Sequence, residues 1–497
     1  MSILKLNTIT STKKKIMVAS YGIAIIFISL IIFYLINYLT KPRNLNVILI
    51  TVDDLRQDHL GCYGYKRNTS PNIDKLAREG ILFTQTICQG GWTANCLFSL
   101  ITSTYPYTHG VLEWTDCLNR SLPTLASLLK SHGYYTELIN GHSAANRLAE
   151  MGLVRGFDAW NDNKGEIKAD KITDRAIKFL YENRNKKFFL WLHYFDPHGP
   201  YEPPPPYNKI YVDDNLYVTK KHIPVSTNNQ KFLWSSAGKI PYNIQDKGIT
   251  DVDYYIARYD GEIRFTDEQI GNLIRTIEEL KLDKKSVIIF TADHGECLGE
   301  HDNFFMHGLL CDEILKVPLI LKYPNALPAN KIIKSQIGHI DIMPTLLSLL
   351  RIKTKIHMEG INLEPYILGF RNRFPERAIF SETSASIDNP YNIIIISLRL
   401  EGWKLIVYYL SEGVNRLLDL EKVYSEDIYS KKQIYKLYNL KKDPHELVNL
   451  VNVEKEQFSI LKAKLKNWLS HQRLNKTPFS KPLDEKVRDL LKSLGYL

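Results

Sequence analysis

Residues 45–54 read LNVILITVDD, and this stretch decides the fold. From Asn46 to Val52 the run is short, apolar and rich in β-branched residues, the pattern of a strand buried on both faces of a parallel sheet. It ends in two adjacent acids, Asp53 and Asp54. Two later runs share the design: KKFFLWLHYFD (186–196) and KSVIIFTADHGE (285–296), each closing on acid or histidine. Between the strands, helical periodicity runs through 170–183 and 265–281, and 70–79 and 122–132 also read as helices. Strand–helix alternation with polar strand ends predicts an α/β domain around a mostly parallel sheet. Ligands of such sheets sit outside the carboxyl ends of the strands, so the chemistry is expected there.

The rest of the chain divides around this domain. With 497 residues, 44% hydrophobic and 24% charged, the composition is that of a globular protein. A net charge of +10 would suit a polyanion, but Lys5, Lys13, Lys14, Lys15, Lys41 and Arg43 supply six of it before residue 45. The remainder is too dilute to imply nucleic acid as a partner. Those six flank the uncharged run IMVASYGIAIIFISLIIFYLINYL (16–39), long enough to span a bilayer and without a small-residue cleavage site after it. The expectation is a basic cytoplasmic tail (1–15), a single uncleaved transmembrane anchor (16–39) and a catalytic domain outside the cytoplasm. The main domain is assigned to 45–372, with 199–250, opening on GPYEPPPPYN, as a stiff surface excursion. From 373 to 497 a hairpin (393–410) and an amphipathic helix (453–472) predict a smaller α+β domain. Six scattered cysteines leave any disulfide pairing open.

Three strand ends offer ligands: Asp53-Asp54, the turn before Thr93, and Asp293-His294. Adjacent buried carboxylates repel and need a compensating charge, most simply a divalent cation. Carboxylates with one imidazole suit calcium, magnesium or manganese, with zinc also within range. In GGWTANCLFSLITSTYP (90–106), a strand–turn–helix junction presents a hydroxyl, Thr93, and a thiol, Cys96, as rival nucleophiles. Five histidines, His109, His193, His198, His301 and His307, lie near glycine turns or strand ends. His198 and His307 are the pair placed to donate to an anionic ester or its leaving group; for His109 and His301 a structural role stays equally open.

These segments, in this order, resemble the sulfatase branch of the alkaline phosphatase superfamily. The resemblance rests on LITVDDLRQDHLGCYGY (49–65), GGWT with LITSTYP and HGV, HYFDPHGPY (193–201), IFTADHGECLGEH (289–301), MHG, DEILKVPLILKYP (312–324), HIDIMPTLLSLL (339–350), LYNLKKDPHELVNL (437–450) and the terminal LGYL. It implies a large sheet flanked by helices, followed by a smaller domain with an antiparallel sheet. It also implies one divalent metal held by Asp53, Asp54, Asp293 and His294, with His198 and His307 contacting the ester.

The resemblance also exposes a departure. Sulfatases convert a Cys or Ser, set in Cys/Ser-x-Pro-x-Arg and followed by Thr-Gly, to formylglycine. Alignment on LITSTYP puts Thr93 at that position, Asn95 at the Pro, Leu97 at the Arg and Ser103 at the Gly. Cys96 is out of register, since Phe98 and Leu100 would take its Pro and Arg positions. The expectation is therefore a hydrolase of sulfate or phosphate esters that uses a metal-bound Thr93 in place of formylglycine. Its substrate would be a sulfated or phosphorylated glycan, glycolipid or lipid head group. The alternatives are a transferase of the phosphoethanolamine or phosphoglycerol type, and a sulfatase-like binding protein that has lost catalysis.

Overall fold

The computed structural model describes residues 43–162, 165–213, 216, 218–226, 238–323, 327–385, 393–410, 433–471 and 484–493. The apolar stretch 16–39 and the terminal LGYL lie outside the described residues. Among the described residues, no helix is long and apolar enough to cross a membrane.

The opening run forms β1 (Asn46–Val52), buried at every position. Its side chains divide by the period of two: Ile48, Ile50 and Val52 enter one apolar cluster, Val47 and Leu49 the other. The other strands of the large sheet are β2 (Ile81–Ile87), β3 (Tyr135–Asn140), β4 (Ala159–Trp160), β5 (Phe188–Tyr194) and β6 (Ser286–Ala292). A short ribbon of β7 (Cys297–Leu298) and β8 (Phe304–Met306) follows, and β9 (Lys316–Lys322), β10 (Lys331–Ile333) and β11 (Ile337–Gly338) complete the large sheet. Its order is β10-β2-β9-β6-β1-β5-β3-β4, with β11 beside β2. β1 pairs parallel with β5 and β6, while β9 runs antiparallel to both β2 and β6. The sheet is thus large, mixed and mostly parallel, flanked by helices, as the sequence predicts.

Helices α1 (Pro71–Glu79), α2 (Thr93–Thr102), α3 (Leu125–Ser131), α4 (Ala169–Asn183) and α5 (Val252–Glu279) follow in chain order. α1, α4 and α5 contribute to the cluster on the Ile48 face; α2, α3 and α7 (Ile342–Leu349) contribute to the Val47 face. α6 (Asp312–Leu315) is a single turn before β9. α5 begins at Val252, well before the predicted 265, with the Asp251 carboxylate capping the backbone N–H of Asp253.

The segment 199–250 corrects a second expectation. Its described part is not only a surface excursion: Tyr201, Ile240 and Ile244 are buried in the Ile48-face cluster. Tyr201 also donates from its hydroxyl to Glu296 Oε2 at 2.6 Å, which fastens the excursion beside the end of β6.

The C-terminal part carries an antiparallel sheet of β12 (Ile379–Ala385), β13 (Ile393–Leu400), β14 (Trp403–Leu410) and β15 (Gln433–Asn439), in that order. α8 (Lys455–His471) covers it with Leu461, Leu465 and Leu469, spaced four apart on one helix face.

Candidate active site

Parallel pairing fixes which strand ends meet. Val52 lies in register with Tyr194 of β5 and Ala292 of β6, and Asn140 of β3 with His193. The residues just beyond these ends, Asp53, Asp54, Asp293, His294 and His142, are therefore gathered at one edge and are all fully buried. Asp54 has a left-handed backbone (φ 54°). Its carbonyl accepts from the Tyr259 hydroxyl at 2.7 Å, and that hydroxyl in turn accepts from the Arg56 backbone N–H.

Thr93 is brought into this cluster by the turn before α2, whose first residue it is. Its Oγ1 lies 3.4 Å from Asp53 Oδ1 and 3.2 Å from His294 Nε2. Two glycines make the approach possible. A Cβ on Gly91 would stand 2.7 Å from Leu309 O, and one on Gly308 (φ 92°) would stand 2.7 Å from the Trp92 ring. The two loops interlock through Gly308 N–H donating to Gly91 O at 2.9 Å. His307, next to this contact, packs edge-on against Trp92.

The metal set predicted from the sequence converges. Asp53 Oδ1 is 3.7 Å from His294 Nε2, Asp293 Oδ2 is 3.6 Å from it, and Asp54 Oδ1 is 3.0 Å from His294 Nδ1. His307 Nδ1 approaches Asp54 Oδ1 at 3.3 Å, and His198 Nε2 approaches Asp54 Oδ2 at 3.7 Å. His198 Nδ1–H donates to Gly199 O at 2.7 Å, which turns Nε2 towards the carboxylates.

Three carboxylate oxygens, Asp53 Oδ2, Asp54 Oδ2 and Asp293 Oδ2, are buried and receive no hydrogen bond among the described residues, while Asp54 Oδ1 faces the imidazoles of His294 and His307. Leaving buried carboxylates so poorly served costs several kcal/mol, on the order of the ion desolvation penalty. A divalent cation removes that cost, so the residues present fit a metal. In the metal-free chain, burial pushes Asp53 up to about 6 and, with Asp53 beside it, Asp293 up to about 7. Burial raises Asp54 too, but His307, His198 and His294 outweigh it and hold that carboxyl well below its usual range. Burial disfavours the charged His294, yet Asp293 and Asp54 more than reverse this and hold its proton on.

Of the five histidines singled out, His193, His198 and His307 join the site and two do not. His109 sits beyond the far end of α2, its Nε2 3.0 Å from Ser99 Oγ and its Nδ1 accepting from Val111 N–H. His301 faces Glu313 instead. One further histidine was not legible: His142, whose Nδ1 accepts from Ala144 N–H and whose Nε2 points at Asp53 Oδ2 from 3.6 Å. The rule that points to Asp53 and Asp293 would also point to His142, once Tyr135–Asn140 is read as a strand.

Cys96 lies wholly inside the core, and burial, with Cys88 beside it, pushes its thiol well above the ordinary range. At the departing positions, Asn95 Oδ1 accepts from Trp92 N–H and Asn95 Nδ2 donates to Glu382 O, both at 3.1 Å. Leu97 is fully buried in the Val47-face cluster.

With this geometry in place, comparison with known proteins decides the family. The sulfatase profile matches residues 45–352, well over half the chain. The chain belongs to the sulfatase family. It is thus an enzyme of the sulfuric ester hydrolase class. A second profile, N-sulphoglucosamine sulphohydrolase, C-terminal, matches residues 299–433. The chain is 24% identical over 493 residues to an N-acetylglucosamine-6-O-sulfatase of Bacteroides thetaiotaomicron, covering 82% of this chain and 83% of that protein. It is 24% identical to an arylsulfatase of Clostridium perfringens, covering 84% of this chain and 92% of the relative. The fold matches that of a solved protein in complex with its substrate D-glucosamine-2-N,6-O-disulfate (TM-score 0.68, 20% identity, 88% of this chain and 99% of that one). A phosphonate monoester hydrolase of Agrobacterium radiobacter gives the same TM-score of 0.68 at 20% identity, over 89% of this chain and 100% of that one.

Proposed function

We propose that this sulfatase-family enzyme hydrolyses sulfate esters of a glycan, with Thr93 as nucleophile in place of formylglycine. The observation that carries the reading is the position of Thr93 Oγ1, buried within 3.4 Å of Asp53 and 3.2 Å of His294 at the end of the sheet. Asp53, Asp54, Asp293 and His294 would hold one divalent cation, calcium, magnesium or manganese by their oxygen-rich chemistry. Bound there, the cation supplies charge stabilisation to the sulfuryl oxygens and eases loss of a hydroxyl proton.

The chain's own residues do the rest. Attack forms a Thr93 Oγ–sulfur bond and breaks the bond from sulfur to the ester oxygen. His198 holds a proton for the departing alcohol, and His307 faces the developing negative charge. A threonine sulfate has no spare hydroxyl with which to expel sulfate, so water must attack sulfur directly, which restores Thr93 and releases hydrogen sulfate. The balance is ester plus water to alcohol plus hydrogen sulfate. A glycan substrate is supported by the N-acetylglucosamine-6-O-sulfatase relative and by the disulfated sugar bound in the structural neighbour.

Thr93→Ala is expected to lower turnover of aryl sulfate and sulfated N-acetylglucosamine about a thousandfold or more. Wild-type protein quenched during turnover should carry a sulfate adduct on the Thr93 peptide, seen by mass spectrometry. Full activity in Thr93→Ala removes Thr93 from the mechanism. No turnover and no adduct in wild type favours an inert binding protein, for which the apolar Leu97 at the family's Arg position argues. Asp293→Asn should lose the metal; unchanged content would sink the ligand assignment. The uncharged run 16–39 supports a membrane-anchored enzyme with its catalytic domain outside the cytoplasm. The full chain should then resist carbonate extraction from membranes, whereas a chain beginning at residue 43 should be released.

A further inference from the structure

A second group of metal-ligating side chains lies apart from the catalytic edge, and nothing in the reaction uses it. It is built where the β7–β8 ribbon folds over the start of α6. Cys297, in β7, places its Sγ 3.3 Å from Sγ of Cys311, the residue that precedes α6; both thiols are buried and unbridged. Glu313, in α6, has a side chain only 6% exposed, and its Oε2 has no hydrogen-bond partner among the described residues. His301, at the tip of the ribbon, brings Nε2 to 3.5 Å from that oxygen. One ligand atom from each of His301, Cys311 and Glu313 lies within 4.8 Å of the others. His301 is held in a left-handed conformation (φ 55°), and so is Asp302 beside it (φ 57°). Non-glycine residues in that region are sustained only where surroundings enforce them, and such strain gathers at sites that bind.

We propose that Cys297, His301, Cys311 and Glu313 bind a thiophilic divalent cation, Zn²⁺, in a structural site separate from the catalytic metal. The donor set decides the class of ion: two sulfurs with one imidazole and one carboxylate suit zinc and repel calcium or magnesium, which want oxygen alone. The spacing decides between a metal and a disulfide. With bond lengths of about 2.0–2.3 Å, tetrahedral zinc sets its ligand atoms roughly 3.4–3.8 Å apart. The His301–Glu313 gap of 3.5 Å already meets this; the two sulfurs must part from 3.3 Å, and Cys297, which lies outside the group of three, must close on the other two ligands. A disulfide would need them to close to about 2.05 Å and would leave Glu313 Oε2 with only the His301 imidazole at 3.5 Å. On binding, both thiols lose their protons to solvent. Because only Gly295 and Glu296 separate His294 from β7 and β8 runs directly into His307, the ion would fix the ribbon from which both catalytic-edge imidazoles are hung.

The test uses the full chain, reduced, stripped of metal and reloaded with Co²⁺ as a spectroscopic substitute for Zn²⁺. Wild type and Asp293→Asn should both show a thiolate-to-cobalt charge-transfer band in the near ultraviolet, displaced by one equivalent of Zn²⁺. Cys311→Ser should abolish the band. His301→Ala, at a side chain that touches solvent and so should leave folding intact, should weaken cobalt binding at least about tenfold. Absence of the band in reduced wild type overturns the proposal. So does a band that survives in His301→Ala with unchanged affinity. Mass spectrometry that finds a Cys297–Cys311 disulfide whose reduction yields no metal-binding protein overturns it in favour of a simple covalent staple.

Discussion

At the scale of single residues, the carboxylate cluster matches what the family resemblance implies, and the turn at the proposed nucleophile departs from it. The changes are not isolated. Thr93 keeps a hydroxyl at the cluster, Asn95 takes over the turn by bonding Trp92 N–H and Glu382 O, and Leu97 fills its place with hydrocarbon. Ser103, at the position of the family glycine, ends α2 in the left-handed region (φ 58°) and donates from Oγ to Ile340 O at 2.6 Å. A side chain there costs about 1–2 kcal/mol, and the hydrogen bond returns about 1. Ser103→Gly is therefore close to neutral. Leu97 is a different matter. Placing by Leu97→Arg the arginine that the resemblance implies would put a guanidinium into a buried apolar cluster. It is expected to destabilise the chain by at least about 3 kcal/mol in urea melts and to yield no gain in activity. A stable, more active Leu97→Arg enzyme would mean that the pocket still keeps a place for the guanidinium.

At the scale of elements, legibility followed burial. β1, β5 and β6 could be read because strands covered on both faces must be apolar throughout, and their first polar residues then mark the site. β3 could not be read: YTELIN places Thr136 and Glu137 in its middle and breaks the apolar run. With the strand went His142. The early start of α5 was hidden by Asp260 and Glu262, two buried acids that interrupt its apolar stripe. Asp260 is there to bind Arg67 and His59, an association between distant segments that no local pattern signals. The antiparallel sheet was legible as a hairpin, but its attachment was not. Lys404 of β14 is fully buried and bonds Asp312 Oδ1 at 3.0 Å and Glu446 Oε1 at 2.7 Å, while Arg399 of β13 pairs with the other Asp312 oxygen. Two cations and two anions thus join the second sheet to α6 with no net charge. Lys404→Met would leave two buried carboxylates facing one guanidinium, and is expected to cost about 3–5 kcal/mol. Lys404→Met with Glu446→Leu removes one charge of each sign and should recover most of it. If urea melts find the double variant no better than the single, the loss comes from packing and not from the stranded charge.

At the scale of the whole molecule, acid stability is a balance between buried bases and buried acids. His109 and His339 are kept neutral by burial, each pushed down to about 3. His109 uses both nitrogens in its neutral form, Nδ1 accepting from Val111 N–H and Nε2–H donating to Ser99 Oγ. His339 lies 2.7 Å from Thr291 Oγ1, whose own proton goes to Pro318 O, so the imidazole is the donor. An unfolded chain would protonate both below about pH 6.5. Their depressed values therefore favour folding fully above that pH, and the contribution is lost as pH falls towards 3. Buried Asp116 and Asp267, pushed up to about 7 and about 6, act in the opposite sense. The folded chain holds their protons when the unfolded chain does not, so they favour folding increasingly as pH drops towards 4. These two acids offset the two histidines, so the histidine part shows only as a difference. His109→Gln should be less stable than wild type at pH 7, because one of the two hydrogen bonds goes. From pH 7 to 5.5 the gap should narrow by about 1.2 kcal/mol, as wild type loses what glutamine never supplied. Adding His339→Gln should double the narrowing to about 2.5 kcal/mol, since the two sites share no partner. A gap that stays constant across this range would show that His109 takes up its proton in the folded chain as readily as in the unfolded one.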